Sequence, residues 1–191
     1  MITACGGSAT LVPVAQPATT PPSANTTAAR PTTAAPPATT AAPVRCTASD
    51  LGLRLGDRGP EPSPGQRTVA LVYTNISNRP CYVSGVPGVD LMGPADPNGP
   101  TYSVARPNAD AAQPRYTLGP GRKATATLTY LTDTPGSVGS QGSKGWIPTQ
   151  IITTPPGDTH QLLTPWTLGD TVVRQDAATH PGTFVGPLTA S

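Results

Sequence analysis

The sequence predicts an all-β domain, an antiparallel sandwich or barrel, that follows a disordered linker. Apolar and polar residues alternate at the period of a β-strand, most clearly from Lys123 to Tyr130. The chain carries 20 glycines and 26 prolines among its 191 residues, and many of them form turn signals between short apolar segments. We find no apolar stripe of helical spacing over a useful length. Many short strands joined by Gly/Pro turns are typical of sandwiches and barrels.

Residues 1–5 are interpreted as the remnant of a signal peptide and its lipobox. Ile2-Thr3-Ala4-Cys5 places an aliphatic residue and two small residues before a cysteine, the pattern at which bacterial lipoproteins are lipidated and cut. We therefore expect Cys5 to carry a lipid that anchors the protein to a membrane, and a signal peptide to lie upstream. The alternative is a chance tetrapeptide at a true N-terminus.

Residues 6–44 are predicted to be a disordered linker rich in Ala, Thr and Pro. Arg30 is its only charged residue, and the segment cannot bury enough apolar surface to offset the entropy of ordering it. Its prolines favour extended conformations, which suit a spacer between a membrane and a domain. No apolar run in the chain reaches the roughly 18 residues of a membrane span. The predicted location is extracytoplasmic, either lipid-anchored to the cell membrane or secreted.

Residues 45–191 are predicted to form the domain. Three segments alternate most clearly, Leu51–Leu55, Arg67–Asn75 and Lys123–Tyr130, as strands do when one face of a sheet is buried and the other meets water. The side chains expected to face the core are Leu51, Leu53, Leu55, Val69, Leu71, Tyr73, Ala124, Ala126, Leu128 and Tyr130. Weaker candidate strands are Cys81–Val83, Val89–Met92, Tyr102–Ala105, Tyr116–Leu118, Ile147–Thr153, His160–Leu163 and Thr171–Arg174.

The cysteines predict one disulfide within the domain. If Cys5 is lipidated, Cys46 and Cys81 remain as a pair, and export would place them in an oxidising compartment. Such a bond would stabilise the domain by roughly 3 to 4 kcal/mol and fix the N-terminal strand to the sheet. The alternative is two buried free thiols.

Composition and motifs argue against several classes of function. A net charge of +2, with only 12% charged residues, is too low for a nucleic-acid-binding surface. No G-x-S-x-G motif occurs, and the Gly-rich segment 136–145 lacks the spacing of a phosphate-binding loop. His160 and His180 are the only histidines, fewer than the three or four ligands of a metal site. We therefore predict no catalytic residue, no metal and no cofactor.

Two groups of residues are candidates for ligand binding. Trp146 follows the Gly-rich segment, and an exposed tryptophan can stack on a sugar or anchor a protein partner. The alternative is that it closes one end of the sandwich. Arg106 and Arg115, with Arg122 and Lys123 nearby, could face anionic envelope polymers or acidic headgroups. The alternative is ordinary solvation of the rim.

Two stretches of the domain resemble a known family. They are VYTNISNRPCYVSGVPGVDL over residues 72–91 and LGPGRKA over residues 118–124, and Cys46 opens the domain five residues before Leu51. Over residues 46–175 the chain resembles the actinobacterial domain-of-unknown-function family numbered 4232. The resemblance implies an immunoglobulin-like β-sandwich in a secreted protein or lipoprotein, and it implies no reaction. Many members carry a further cysteine in the C-terminal half, which this chain lacks.

The sequence therefore predicts a cell-envelope lipoprotein whose domain is a non-catalytic binding module for an envelope protein or glycan. Loops at the ends of a sandwich are the usual place for such binding residues. One alternative is a structural spacer without a specific ligand, and another is an envelope hydrolase with an unrecognised site. The choice rests on analogy at the level of the fold rather than on a defined site.

Overall fold

The computed structural model describes residues 42–96, 98–133 and 145–191, which form twelve β-strands and a 3-10 turn at Ala48–Asp50. Cys5, residues 6–41 of the predicted linker and most of the Gly-rich segment 136–145 lie outside these ranges. No helix among the described residues is long and apolar enough to cross a membrane. In chain order the strands are β1 (Val44–Arg45), β2 (Leu51–Arg58), β3 (Gln66–Asn75), β4 (Cys81–Val83), β5 (Gly88–Met92), β6 (Thr101–Ser103), β7 (Tyr116–Leu118), β8 (Lys123–Leu131), β9 (Gln150–Thr154), β10 (Leu162–Pro165), β11 (Phe184–Val185) and β12 (Thr189–Ala190).

The strands form three sheets. The first has the order β11-β8-β3-β2, with β12 also pairing with β8. The second has the order β10-β9-β5-β6, and the third, smaller sheet has the order β1-β4-β7. All pairs are antiparallel except β1 with β4, which run parallel. The all-β, antiparallel prediction is confirmed.

The two larger sheets pack face to face around the core. Leu71 of β3, Leu128 of β8 and Ile151 of β9 are fully buried. The Tyr73 hydroxyl of β3 donates a hydrogen bond of 3.0 Å to the Thr153 hydroxyl of β9, which joins the sheets through a buried polar contact. Because a strand has a period of two, the alternation in the sequence identified the buried faces of β3 and β8 correctly. Leu53 and Leu55 of β2 are only partly buried against the core.

The predicted disulfide between Cys46 and Cys81 is present, with the two Cα atoms 5.0 Å apart. It joins the chain just after β1 to the first residue of β4, and both cysteines are buried. The backbone N–H of Cys46 also donates to the Tyr82 carbonyl at 2.8 Å. The bond therefore fixes the N-terminal strand to the small sheet, and it is typical of domains that fold in an oxidising compartment.

Some predicted strands differ from the observed ones. Thr171–Arg174 does not form a strand, because Val172 makes only an isolated bridge to Trp146. The strand expected at Ile147–Thr153 begins at Gln150, and that expected at His160–Leu163 runs from Leu162 to Pro165. The two-residue strands β1, β11 and β12 were not predicted, since two residues are too few to show an alternation.

Asn75 joins three parts of the fold within the stretch that carries the family resemblance. Its buried side-chain amide donates to the carbonyls of Arg79 and Leu118, each at 2.8 Å. Its side-chain oxygen accepts from the backbone N–H and the hydroxyl of Ser77. These bonds connect the end of β3, the following turn and β7. This turn leads directly into β4, which contains Tyr82.

Candidate binding site

Tyr82 lies on the solvent side of the small sheet. Its neighbours Cys81 and Val83 are buried and Tyr82 is half-buried, as the alternation of a strand requires. Strand β4 lies between β1 and β7, and Tyr82 pairs with Arg45 on one side and with Thr117 on the other. Side chains from both neighbouring strands can therefore reach the ring of Tyr82.

Two arginines stack on this ring. The guanidinium carbon of Arg45 lies 5.2 Å from the ring centroid, and that of Arg115 lies 4.8 Å from it. Arg45 belongs to β1, whereas Arg115 immediately precedes β7, so the two side chains approach from opposite neighbours of β4. Both distances are within the range of a cation–π contact. We call Arg45, Tyr82 and Arg115 the arginine–tyrosine platform.

Arg45 is held in place by backbone groups. Its Nη1 donates to the carbonyls of Ser84 and Pro156, both at 3.1 Å. Gly157 has a φ of +78°, and a Cβ at this position would lie 3.0 Å from Arg45 Cδ. Only glycine combines this backbone conformation with so close an approach. The turn after β9 and the disulfide therefore position Arg45 beside the ring.

No carboxylate among the described residues forms an ion pair with Arg45 or Arg115. The nearby Asp158 is occupied elsewhere, because it accepts hydrogen bonds from the backbone N–H groups of Ala48, Thr159 and His160. These bonds, that from Ala48 first, hold the pKa of Asp158 well below its usual range. The platform thus presents two positive charges without a partner charge.

The chemistry open to the platform is the binding of an oxyanion. Two guanidinium groups already contact the Tyr82 ring, so a sugar ring that stacks on it would compete with them. A guanidinium group presents a planar fork of donors that matches phosphate or carboxylate oxygens. The Arg115 side chain is exposed, and among the described residues it stacks on the Tyr82 ring without a hydrogen bond or ion pair. Its donors are therefore available to a ligand.

Arg106 and Arg115 were predicted to form one basic patch, and the structure shows no contact between them. Arg106 is exposed just beyond β6, where it lines both a polar cleft of about 420 Å³ and a separate groove of about 500 Å³. Arg122 and Lys123 are exposed at the start of β8. Only Arg115, of the predicted cations, belongs to the platform.

Trp146 is not on an exposed loop. It is 7% exposed, its indole N–H donates to the Pro94 carbonyl at 2.8 Å, and its backbone pairs with Val172. A Cβ on Gly93 would lie 2.6 Å from the indole ring, so the chain packs directly against it. This burial contradicts the exposed position on which the binding role predicted for Trp146 depends. It agrees with the alternative that Trp146 closes one end of the sandwich.

Trp146 contacts Arg174, a buried arginine with a different environment from that of the platform. The Arg174 guanidinium stacks on Trp146 and Tyr102, with distances of 5.0 and 5.6 Å to the ring centroids. Its side chain is 5% exposed and forms ion pairs with Asp96 and Asp176. The same guanidinium donates to the carbonyls of Asn98, Gly99 and Thr101. We call Arg174 with these partners the Arg174 cluster.

The two histidines each contact a neighbouring side chain. His160 hydrogen-bonds Asp158 and His180 hydrogen-bonds Thr179. In the part of the chain that the structure describes, no three His, Cys, Asp or Glu side chains come together as ligands for a metal ion.

Arg45 and Tyr82 were not predicted as site residues, although the predicted disulfide indicates that they lie close together. Arg45 precedes Cys46 and Tyr82 follows Cys81. A bond between these cysteines brings their neighbours in sequence to adjacent positions, and the alternation of β4 turns Tyr82 outward. A cation and an aromatic ring next to a disulfide are thus predictable neighbours.

Comparison with known proteins gives one family match. A family model described as domain of unknown function (DUF4232) matches residues 46–184, which extends the predicted resemblance by nine residues at its C-terminal end. The matched segment contains Cys46, Tyr82 and Arg115, and it begins one residue after Arg45. No curated protein matches the chain.

Proposed function

The chain belongs to the DUF4232 family, whose function is not defined, and we propose that it is a non-catalytic binding module that recognises an anionic component of the cell envelope. The proposed binding surface is the arginine–tyrosine platform. The proposed ligand is a polymer that carries phosphate or carboxylate groups. In this proposal the ligand contacts Arg45, Tyr82 and Arg115. It does not contact Trp146, which is buried.

The observation that carries the proposal is the pair of unneutralised guanidinium groups on one ring. Two like charges on the same ring repel each other, and the cation–π contacts offset this repulsion by about 0.5–1 kcal/mol each at an exposed site. An oxyanion beside the exposed guanidinium of Arg115 would reduce this repulsion and form charge-assisted hydrogen bonds. The charge distribution therefore favours an anionic ligand over a neutral glycan.

The proposed location supports the same ligand class. The disulfide fits an oxidising compartment, and a lipid on Cys5 would hold the protein at the outer face of the cell membrane. The linker that precedes β1 would then let the domain reach polymers of the cell wall. Lipidation of Cys5 is part of the proposal, and intact mass spectrometry of the protein from its native host would test it directly.

The test of the ligand class uses inorganic polyphosphate as a probe and measures its affinity by isothermal titration. Arg115→Gln removes one platform charge, and Arg54→Gln is the matched control, because Arg54 is an exposed arginine of β2 with the same charge and no ion pair among the described residues. We expect Arg115→Gln to weaken binding by roughly threefold to tenfold, which corresponds to the loss of one charged contact. Arg54→Gln should retain the wild-type affinity.

Two results would count against this function. An equal loss in both variants would mean that polyphosphate senses only net charge. Absence of binding by the wild-type protein would favour the alternative of a spacer without a specific ligand. A titration with polyglutamate at equal charge concentration shows whether the platform prefers phosphate or carboxylate groups. Either preference agrees with anion binding at the platform.

A further inference from the structure

Arg106 lies at a corner between the two large sheets and is not one of the platform residues. After β6 the chain leaves the second sheet, and Ala105 forms a parallel bridge to Phe184 of the first sheet. The Val185 N–H donates to the Ala105 carbonyl at 2.9 Å, which fixes the backbone immediately before Arg106. The side chain of Arg106 is exposed and forms no hydrogen bond or ion pair within residues 42–96, 98–133 and 145–191.

Two concave surfaces of different character meet at Arg106. On one side is the groove of about 500 Å³, whose walls are the side chains of Ala105, Pro107, Pro181 and Phe184, with Thr179 and His180 at its rim. On the other side is the cleft of about 420 Å³, lined by polar groups that include Asp90, Ser103 and Thr154. A single cation thus separates an apolar surface from a polar one.

The polar cleft presents mainly hydrogen-bond acceptors to a ligand. Asp90 accepts a hydrogen bond of 2.6 Å from the Ser103 hydroxyl and forms no ion pair with Arg106. Asp158, also on the wall of the cleft, is engaged by backbone N–H groups. Carboxylates are poor neighbours for an anion but good acceptors for the hydroxyl groups of a headgroup. The anion itself is therefore best placed at Arg106, with hydroxyl groups directed into the cleft.

From this arrangement we propose that Arg106 is the anion-binding residue of a second site, which takes an amphiphilic anion. Such a ligand is a lipid-like molecule with a phosphate group at Arg106, an apolar chain against Phe184, Pro107 and Pro181, and a hydroxylated part facing Asp90. The unpaired guanidinium favours the phosphate, and the apolar walls favour the chain over water. This site uses none of Arg45, Tyr82 and Arg115 and does not depend on the function proposed for them, although Pro156 and Gly157, which contact Arg45, also line the cleft.

Octyl phosphate is a suitable probe, because it carries both features in a small molecule. Octyl glucoside supplies the same chain without charge, and inorganic phosphate supplies the charge without the chain. Titrations followed by two-dimensional NMR should show octyl phosphate shifting the backbone signals of Ala105, Thr179 and Phe184. Each of the two partial probes should bind about tenfold more weakly than octyl phosphate, since each loses one of the two contributions.

Two variants assign the contributions. Arg106→Gln should weaken octyl phosphate binding by about tenfold, because it removes the charged contact. Arg122→Gln, an exposed arginine outside the groove, should leave the affinity unchanged. Phe184→Leu should weaken octyl phosphate binding and leave the affinity for inorganic phosphate unchanged. A melting temperature close to that of the wild type shows that each variant is folded.

The proposal is overturned if octyl glucoside binds as tightly as octyl phosphate, since the site would then be only apolar. It is equally overturned if inorganic phosphate binds as tightly, or if Arg106→Gln has no effect. Shifts confined to Tyr82 and its neighbours would assign octyl phosphate to the platform instead. Because Arg115→Gln should not change octyl phosphate binding, failure of this site and failure of the platform are separate results.

Discussion

The platform and the Arg174 cluster use the same kinds of side chain in opposite electrostatic settings. In both, guanidinium groups stack on aromatic rings at about 5 Å. In the Arg174 cluster two carboxylates and three carbonyls surround one guanidinium, which is almost completely buried. On the platform two guanidinium groups share one ring, and no carboxylate pairs with either of them in the described part of the chain.

This difference shows that neutralisation and burial, rather than the contact itself, separate a structural arginine from one that can bind a ligand. The hydrogen bond with Asp176 raises the pKa of Arg174, so its charge is fixed and fully compensated. A ligand anion could reach it only by displacing Asp96 or Asp176. An anion at Arg115 displaces no carboxylate of the described residues. A substitution in one of the two regions can therefore be tested for its effect on the other region.

The largest effect is expected from removal of the disulfide by the double substitution of Cys46 and Cys81 to Ala. With the two cysteines 35 positions apart, the chain-entropy model predicts a loss of about 4 kcal/mol in the free energy of unfolding. The variant should also lose polyphosphate affinity, because β1 has no other covalent link to β4 and carries Arg45. Urea unfolding measures the first effect, and titration of the folded variant measures the second.

Unchanged polyphosphate affinity in this variant would show that the small sheet holds Arg45 without the disulfide. A stability loss below about 1 kcal/mol would contradict the role of the bond in the domain. Indole fluorescence provides a control within the same molecule. Trp146 packs against Arg174 in the Arg174 cluster. Its fluorescence should therefore match that of the wild-type protein below the unfolding transition.

Arg174→Met should be the next most destabilising change. It leaves Asp96 and Asp176 without their cation and removes the stacking on Trp146, and breaking a buried pair in this way costs about 3 kcal/mol. Polyphosphate affinity of the folded variant should stay unchanged, because the cluster is already neutral toward a ligand. Arg115→Gln is the matched platform variant and should change the free energy of unfolding by less than about 0.5 kcal/mol. Equal destabilisation by both variants would remove the distinction between the two regions.

Gly157→Ala moves Arg45 without changing any charge. At a φ of +78° alanine is strained, and its Cβ would contact the Arg45 side chain. Gly169→Ala is the control, because Gly169 has a φ of +71° and nothing within 4 Å of the added Cβ. Both variants should lose about 1 kcal/mol of stability. Only Gly157→Ala should weaken polyphosphate binding, by roughly threefold for a misplaced charged contact. Equal affinities for the two variants would show that the position of Arg45 does not matter.

The sequence predicted the parts of the fold that depend on local periodicity. Strands β3 and β8 each bury one face over nine or more residues, so their alternation was visible. The strand β1 was not, because its two residues depend on a partner 37 positions away. Local sequence patterns also could not predict the roles of Trp146 and Tyr82. A glycine-rich neighbourhood suggested an exposed tryptophan, whereas Pro94, Val172 and Arg174 bury it through contacts distant in sequence.

The arginines illustrate the same limit. Arg106 and Arg115 were identified as candidate ligand-binding residues from their sequence alone, and both are exposed. What the sequence could not show is that only Arg115 stacks on Tyr82, or that Arg174 pairs with two carboxylates. Neutralisation depends on pairs such as Arg174 with Asp96, which lie 78 residues apart. Such pairs are set by tertiary packing and leave no periodic pattern.

The most direct test of the central comparison is an NMR titration of the arginine side-chain Nε–Hε signals with polyphosphate. Each signal can be assigned by its loss in a single Arg→Gln variant, or in Arg174→Met for the buried arginine. The account predicts that the signals of Arg45 and Arg115 shift in a saturable manner while that of Arg174 stays fixed. Shifts spread evenly over Arg54, Arg115 and Arg122, or a shift of Arg174 without one of Arg115, would contradict it.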